Sequence, residues 1–270
     1  MARSVVVGMD GSVRCARAAD WAAREAALHG LPLRLVHVAS HDAHPVTSRG
    51  RSRLLSGIDQ LTAEADVLTG SAVPRLLRLG ATAELIVLGM RGEGGYAGLR
   101  VGSVALGLAS ACACPVVLVP SGPTAARRSR PDKVTLAIDA RRPAEPAVGF
   151  ALDAAHRRAA RVHALHVWTP PQCAVRAFPF GFPEKELATW EAREVQLLAD
   201  ALRPWRQKHG HVPVLEDVFL ARTPAAALIR ASADAEMIVV GRRGQRALGD
   251  TASALLSEAH CPVVIVPSAP

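Results

Sequence analysis

The sequence predicts an α/β protein of two tandem domains, each a doubly wound, five-stranded parallel sheet. Three observations lead there. Short apolar runs alternate with stretches of helical spacing, the alternation occurs twice in the same order, and 270 residues suit two domains of ordinary size. The duplication can be followed residue by residue: VVVGMD at 5–10 returns as VTLAID at 134–139, and LRLVHV at 33–38 returns as VHALHV at 162–167, both 129 residues on. LIVLGMRG at 85–92 matches MIVVGRRG at 237–244, and CPVVLVPS at 114–121 matches CPVVIVPS at 261–268. The expected organisation is a first domain at 1–121, a linker at 122–131 rich in Pro, Arg and small residues, and a second domain at 132–270.

In the first half, residues 5–8 are an unbroken apolar run, the mark of a parallel strand covered on both faces. Residues 16–29 carry Ala, Trp21 and Leu28 at helical spacing, and Gly30 with Pro32 stops that helix. Residues 33–38 read as the second strand, 53–65 as a short helix and 66–68 as a weak third strand. Residues 73–79 are helical, 85–89 a fourth strand, 103–113 the last helix and 116–119 the fifth strand. The second half repeats the series and adds an aromatic loop at 178–183 before a long helix from Glu184 to Lys208, which contains Pro204.

Composition removes several function classes. The net charge of +8 is spread thinly, with 12 cations against 9 anions in residues 1–126 and 17 against 15 in residues 131–270. A nucleic-acid face needs a clustered basic stripe with aromatics for stacking, and aromatics are only 4% of this chain. No apolar run approaches a membrane span, and residues 1–4 lead straight into the first strand without a signal-peptide core, so a cytoplasmic protein is expected. Five cysteines at no framework spacing read as reduced, buried thiols.

The chemistry-bearing feature is a glycine-rich loop after the fourth strand. Gly89 and Gly92 are followed by nine residues and then by Gly102-Ser103, which opens a helix. Glycines let backbone N–H groups converge, and the helix N-terminus adds free donors and partial positive charge. Ser103 offers a hydroxyl, and Arg91 and Arg100 can reach an anion, so phosphate is the natural guest. The loop follows the wrong strand for a dinucleotide fingerprint, and no Gly-Lys-Ser/Thr of a P-loop is present.

Gly, two residues, Gly, nine residues and Gly-Ser resembles the ATP-binding signature of universal stress proteins, fitting at Gly89, Gly92, Gly102 and Ser103 without gaps. VVVGMDGS at 5–12 resembles the family's first strand and turn, LVHV at 35–38 its second strand, and CPVVLV at 114–119 its last. The resemblance covers nearly the whole chain as a tandem pair. It implies strand order 3-2-1-4-5, with the first and fourth strands adjacent at the topological switch point. It also implies that Asp10 and the backbone at Val38 contact the nucleoside of ATP, while Gly89, Gly92, Gly102 and Ser103 hold ribose and phosphates. Gly8, Arg91 and Val104 complete the expected cofactor-binding set. Asp10 can also be read as a capping carboxylate for the helix that follows it. Apolar last strands commonly pair across a dimer interface in the family, so residues 116–119 and 263–266 are expected to pair within the chain as a pseudo-dimer, with further homodimerisation left open.

The second half departs from the pattern. Asp10-Gly-Ser12 becomes Asp139-Ala-Arg141, and only four residues separate Gly244 from Gly249-Asp250. Asp250 suits an N-cap and repels a triphosphate, whereas Arg242, Arg243 and Arg246 are either anion ligands or solvated surface. Nucleotide is therefore expected in the first half only.

Other constellations are weak. Cys112-Ala-Cys114 lacks further metal ligands, and His163 and His166 point to opposite faces of one strand. No nucleophile elbow, metal-activated water or metal site is evident, and Glu93 is the only carboxylate in the loop. The expectation is a regulatory stress-response protein that binds ATP with Mg²⁺ in the first domain and is not primarily a catalyst. The alternatives are a slow ATPase, and a scaffold that recognises protein partners through the loop at 178–182 with no nucleotide requirement.

Overall fold

Strands with valine and leucine on both faces need helices on both sides, and the chain supplies them alternately. The computed structural model describes residues 3–12, 15–39, 63–91, 101–120, 132–170, 172–178, 181–244 and 248–268. The first half contains β1 (Val5–Met9), α1 (Cys15–His29), β2 (Leu33–Ala39), β3 (Ala63–Thr69), α2 (Ala72–Gly80), β4 (Leu85–Gly89), α3 (Ser103–Ala111) and β5 (Val116–Val119). The second half contains β6 (Lys133–Ala137), α4 (Glu145–Arg157), β7 (Arg161–Trp168), α5 (Gln172–Ala177), α6 (Glu184–Lys208), β8 (Val214–Leu220), α7 (Pro224–Ser232), β9 (Met237–Arg242), α8 (Asp250–Glu258) and β10 (Val263–Pro267).

Among the described residues the strands form one sheet of ten, in the order β3-β2-β1-β4-β5-β10-β9-β6-β7-β8. Each half therefore has the order 3-2-1-4-5, all parallel. The halves meet where β5 runs antiparallel to β10, with Val263 opposite Leu118, Val264 opposite Val117 and Ile265 opposite Val116. This pairing covers two strands that would otherwise be exposed edges, β5, which is wholly buried, and β10, buried except at Pro267. The outermost strands, β3 and β8, carry mostly partly covered and exposed residues, with Ala65 buried, as edge strands do.

Strand alternation divides the core in two. Val5 and Val7 face a layer built from Trp21 and Ala22 of α1, Ala151 and Leu152 of α4, and Leu198 and Leu202 of α6. Val6 and Ile86 face the other layer, with Leu76 of α2, Leu108 of α3, Leu228 of α7 and Leu255 of α8. Both layers run across the seam between the halves.

Ala63, Ala65 and their neighbours, expected to end a helix, are strand. Residues 63–69 pair in full register with β2, from Leu33 opposite Ala63 to Ala39 opposite Thr69. Arg34 and Asp66 form an ion pair across those strands, so cross-strand contacts override the helix propensity of Ala and Glu. The remainder of that predicted helix lies outside the described residues. The short helix α5, unforeseen in the sequence, precedes the aromatic loop. Phe178 and Phe182 meet edge-to-face at 6.3 Å, and Phe182 packs on Trp190 of α6 at 5.4 Å.

Candidate nucleotide site and its degenerate twin

The crossovers from β1 through α1 and from β3 through α2 leave the sheet on opposite faces, so a crevice opens at the carboxyl ends of β1 and β4. Val5 to Val7 pair with Leu85 to Val87, and continuing that register by two residues sets Met9 beside Gly89. On the other side Met9 pairs with His37, which puts Asp10 next to Val38.

Asp10 is held by the turn it starts. Its Oδ1 accepts the Ser12 N–H at 3.0 Å and the Ser12 hydroxyl at 2.8 Å, and Gly11 supplies the positive φ of 87° that the turn requires. Asp10 thus closes a turn onto Ser12 ahead of α1, with Asp10 and Val38 both half-buried at the crevice. Gly8 has a packing reason: a Cβ there would come within 2.4 Å of Leu88 Cδ2.

Gly89 ends β4, and Met90 binds both sides of the crevice floor. Its N–H donates to Val119 O at 2.9 Å and its carbonyl accepts the Gly102 N–H at 2.8 Å. That second bond pins the start of α3 to the end of β4. Gly102 caps α3 in an extended conformation, φ −75° and ψ 153°, and its carbonyl accepts the Leu106 N–H. The amides of Ser103 and Val104 lie in the first turn, where an α-helix provides no internal acceptor. Ser103 is exposed and Arg91 half-buried. Gly92, Glu93 and Arg100 lie outside the described residues.

The second half builds the same crevice and then fills its charges internally. Asp139, the counterpart of Asp10, accepts the Arg141 N–H at 3.1 Å through Oδ1 and the Arg243 guanidinium at 2.8 Å through Oδ2. Arg243 also donates to Arg142 O at 2.6 Å. Burial raises the Asp139 carboxyl, but the Arg243 and Arg141 hydrogen bonds outweigh it and hold the group below its usual range. Arg141 lies in a fork on Glu194 of α6, with one contact at 2.6 Å. His166 bridges the same carboxylate to the strand, its Nε2 3.1 Å from Glu194 and its Nδ1 3.1 Å from Ile138 O. Burial again pushes the Glu194 carboxyl up, and the Arg141 and His166 hydrogen bonds bring it down below its usual value.

A cavity of about 750 Å³ remains, with Ile138, Trp168, Leu228 and Leu248 on its apolar side. At its mouth Gly249 is the N-cap of α8 and Asp250 is its first helical residue. The expected cap therefore sits one position later, where its carboxylate faces the helix dipole from within the first turn. Arg242 lies at the edge of the cavity and is buried, and its guanidinium donates to Ala109 O at 3.0 Å and Cys112 O at 2.7 Å across the seam. It is neither an anion ligand nor a solvated charge. Arg246 lies outside the described residues.

Sequence alone assigns no crevice role to His37, His166 or Glu194. His37 and His166 are repeat counterparts, and each places Nδ1 on the carbonyl just before the site aspartate, Met9 O at 2.8 Å in the first half. Their recurrence in LVHV and ALHV was a usable signal. Glu194 gave none, since it sits on a helix with no counterpart motif. Cysteines 15, 112, 114 and 261 are buried, whereas Cys173 is exposed, so that thiol departs from expectation. Among the described residues no cluster suits a metal ion, and no helix is long and apolar enough to cross a membrane.

Comparison with known proteins agrees with the duplication. A family model described as the universal stress protein family matches residues 1–120 and again 131–267. A universal stress protein of Mycolicibacterium smegmatis is 31% identical over 293 residues, covering 97% of this chain and 96% of the relative. One from Mycobacterium tuberculosis is 28% identical over 289 residues with the same coverage. Among solved structures, a universal stress protein from Archaeoglobus fulgidus superposes over 98% of this chain and 96% of its own with a TM-score of 0.67 at 16% identity, a likeness of fold.

Proposed function

The chain belongs to the universal stress protein family as a tandem member, and from that premise we propose that its first domain binds an adenine nucleotide, ATP with Mg²⁺, while its second domain does not. The protein acts as a nucleotide-dependent regulatory module and not primarily as a catalyst. The observation that carries this reading is the contrast between the two crevices. In the first, α3 opens with Gly102-Ser103 at the end of β4, and no carboxylate stands in its first turn. In the second, Asp250 stands in the first turn of α8, and Arg243 is clamped on Asp139.

The residues of the first crevice fit the ligand. The Ser103 and Val104 amides, the Ser103 hydroxyl and the helix dipole suit phosphate oxygens. Gly89 allows close backbone approach, Arg91 adds a cation, and Asp10 with the backbone at Val38 suits the nucleoside. Gly8 contributes by letting β1 pack against Leu88. Bound Mg²⁺ would neutralise charge on the phosphates.

Isothermal titration of MgATP into the wild type and a Gly102→Asp, Ser103→Asp variant tests the proposal. One site per chain is expected, lost in that variant and kept in Asp250→Ser. Unchanged binding in the double variant would overturn the assignment. No binding together with no copurified nucleotide would overturn the function.

A further inference from the structure

We propose that Cys112 and Cys114 form a dithiol modification site at the domain seam, where a small peroxide oxidises Cys112 and Cys114 then closes a disulfide. The two residues follow α3, and their Sγ atoms are in S–H···S contact at 3.5 Å. Space for them is specific to this half. A Cβ on Gly80, at the end of α2, would lie 2.3 Å from Cys112 Sγ and 3.5 Å from Cys114 Sγ.

The duplication supplies a comparison inside one chain. By the Cys-Pro motif Cys114 corresponds to Cys261 and Cys112 to Ala259, and by the β4 and β9 motifs Gly80 corresponds to Ser232. In the second half Ser232 Oγ accepts the His260 N–H at 3.0 Å in that region. One half thus has a hydroxyl, a methyl and one thiol where the other has a glycine and two thiols.

Arg242 is the independent observation. Its buried guanidinium crosses the seam to Ala109 O and Cys112 O, and its Nε has no hydrogen-bond partner. Its counterpart in the first half is the apolar Met90. No ion pair to Arg242 is found among the described residues, so the anion available to offset this cation is a thiolate beside it. The hydrogen bond from Cys114 brings the Cys112 thiol down to about 7 against its burial, with Arg242 adding to the effect, while the same contact and burial push Cys114 well above the usual thiol value. Cys112 is thereby the attacking sulfur and Cys114 the resolving one, and because both are buried the peroxide reaches them by local opening at the end of α3.

The chemistry balances. The Cys112 sulfur attacks a peroxide oxygen, the O–O bond breaks, and the thiol proton leaves in a first water, giving a sulfenic acid. The Cys114 sulfur displaces the sulfenic oxygen, the S–S bond forms, and its proton leaves in a second water. Two electrons pass from the thiols to the peroxide.

The native full chain is treated with hydrogen peroxide, alkylated and mapped by mass spectrometry without reduction. Exposed Cys173 confirms that oxidant is active, and buried Cys261 reports global opening. The peptide carrying Cys112 and Cys114 is expected to lose two hydrogens while Cys261 stays alkylatable. Cys114→Ser should trap a sulfenic acid at Cys112 that reacts with dimedone. Arg242→Met should slow the reaction several-fold, because removing the cation beside the Cys112 thiol raises it. Both residues remaining thiols while Cys173 is oxidised would overturn the proposal. So would oxidation only at the rate at which Cys261 is lost.

Discussion

Replacing Arg158 with methionine removes the central cation of the seam while keeping most of its volume. Arg158 follows α4 in the second half, yet its guanidinium pairs with Glu25 on α1 of the first. It also lies 3.3 Å from Glu236 and donates to Ala154 O at 3.0 Å. The Arg158 and Glu25 side chains are 2% and 1% exposed, and Glu25 has one further partner, His29 at 3.0 Å. Removing one member of so dry a pair leaves a buried charge, which costs about 3–5 kcal/mol, a large share of the roughly 5–15 kcal/mol that holds a domain together.

The pH dependence has a definite sign. In the wild type burial raises the Glu25 carboxyl, but the His29 hydrogen bond and the Arg158 charge prevail and lower it. Its contribution is full above the unfolded pKa and is lost as pH falls through the lowered folded pKa. In the variant the Arg158 charge no longer opposes burial, so the folded pKa rises above the wild-type one, and stability is lost as pH climbs through it. The deficit should therefore shrink as pH falls from neutral toward about 5, near the carboxylate range. Urea unfolding followed by circular dichroism measures it. The double variant Arg158→Met, Glu25→Gln should lose less than the two singles together. A single-variant loss under about 1 kcal/mol, or strict additivity, would refute the reasoning.

Two other outcomes follow from the packing. Gly241→Ala would bring a Cβ within 2.3 Å of Ala144 Cβ, a rigid neighbour, and should cost about 1–3 kcal/mol. Gly8→Ala meets the far end of Leu88 and should cost less, so equal losses in thermal melts would contradict the packing account. Because β5 pairs with β10 and both core layers cross the seam, calorimetry of the full chain should show one transition. Val264→Lys should lower it as a whole, and independent melting of the two halves would count against the shared sheet.

What the sequence made legible is what local pattern controls. Strands covered on both faces read as unbroken apolar runs, so β1, β4, β5, β9 and β10 were visible, as were α1 and α6. The turn at Asp10 was visible because its positive φ demands a glycine at residue 11. The losses came from long-range contacts. Residues 63–65 look helical until β2 is beside them. Arg242 reads as a surface cation until it reaches carbonyls in the other half, although Met90 at its repeat position signalled a buried site. Glu194 joins Arg141 and His166 only through tertiary folding, so the neutralisation of the second crevice had no local signature beyond the shortened loop and Asp250.

Amide hydrogen exchange of the full chain with and without saturating MgATP is the most direct measurement of the asymmetry between the halves. Protection is expected at residues 8–12, at the end of β4 and at the start of α3, with no change at 137–142 or 241–252. Equal protection in both halves, or none in the first, would contradict it.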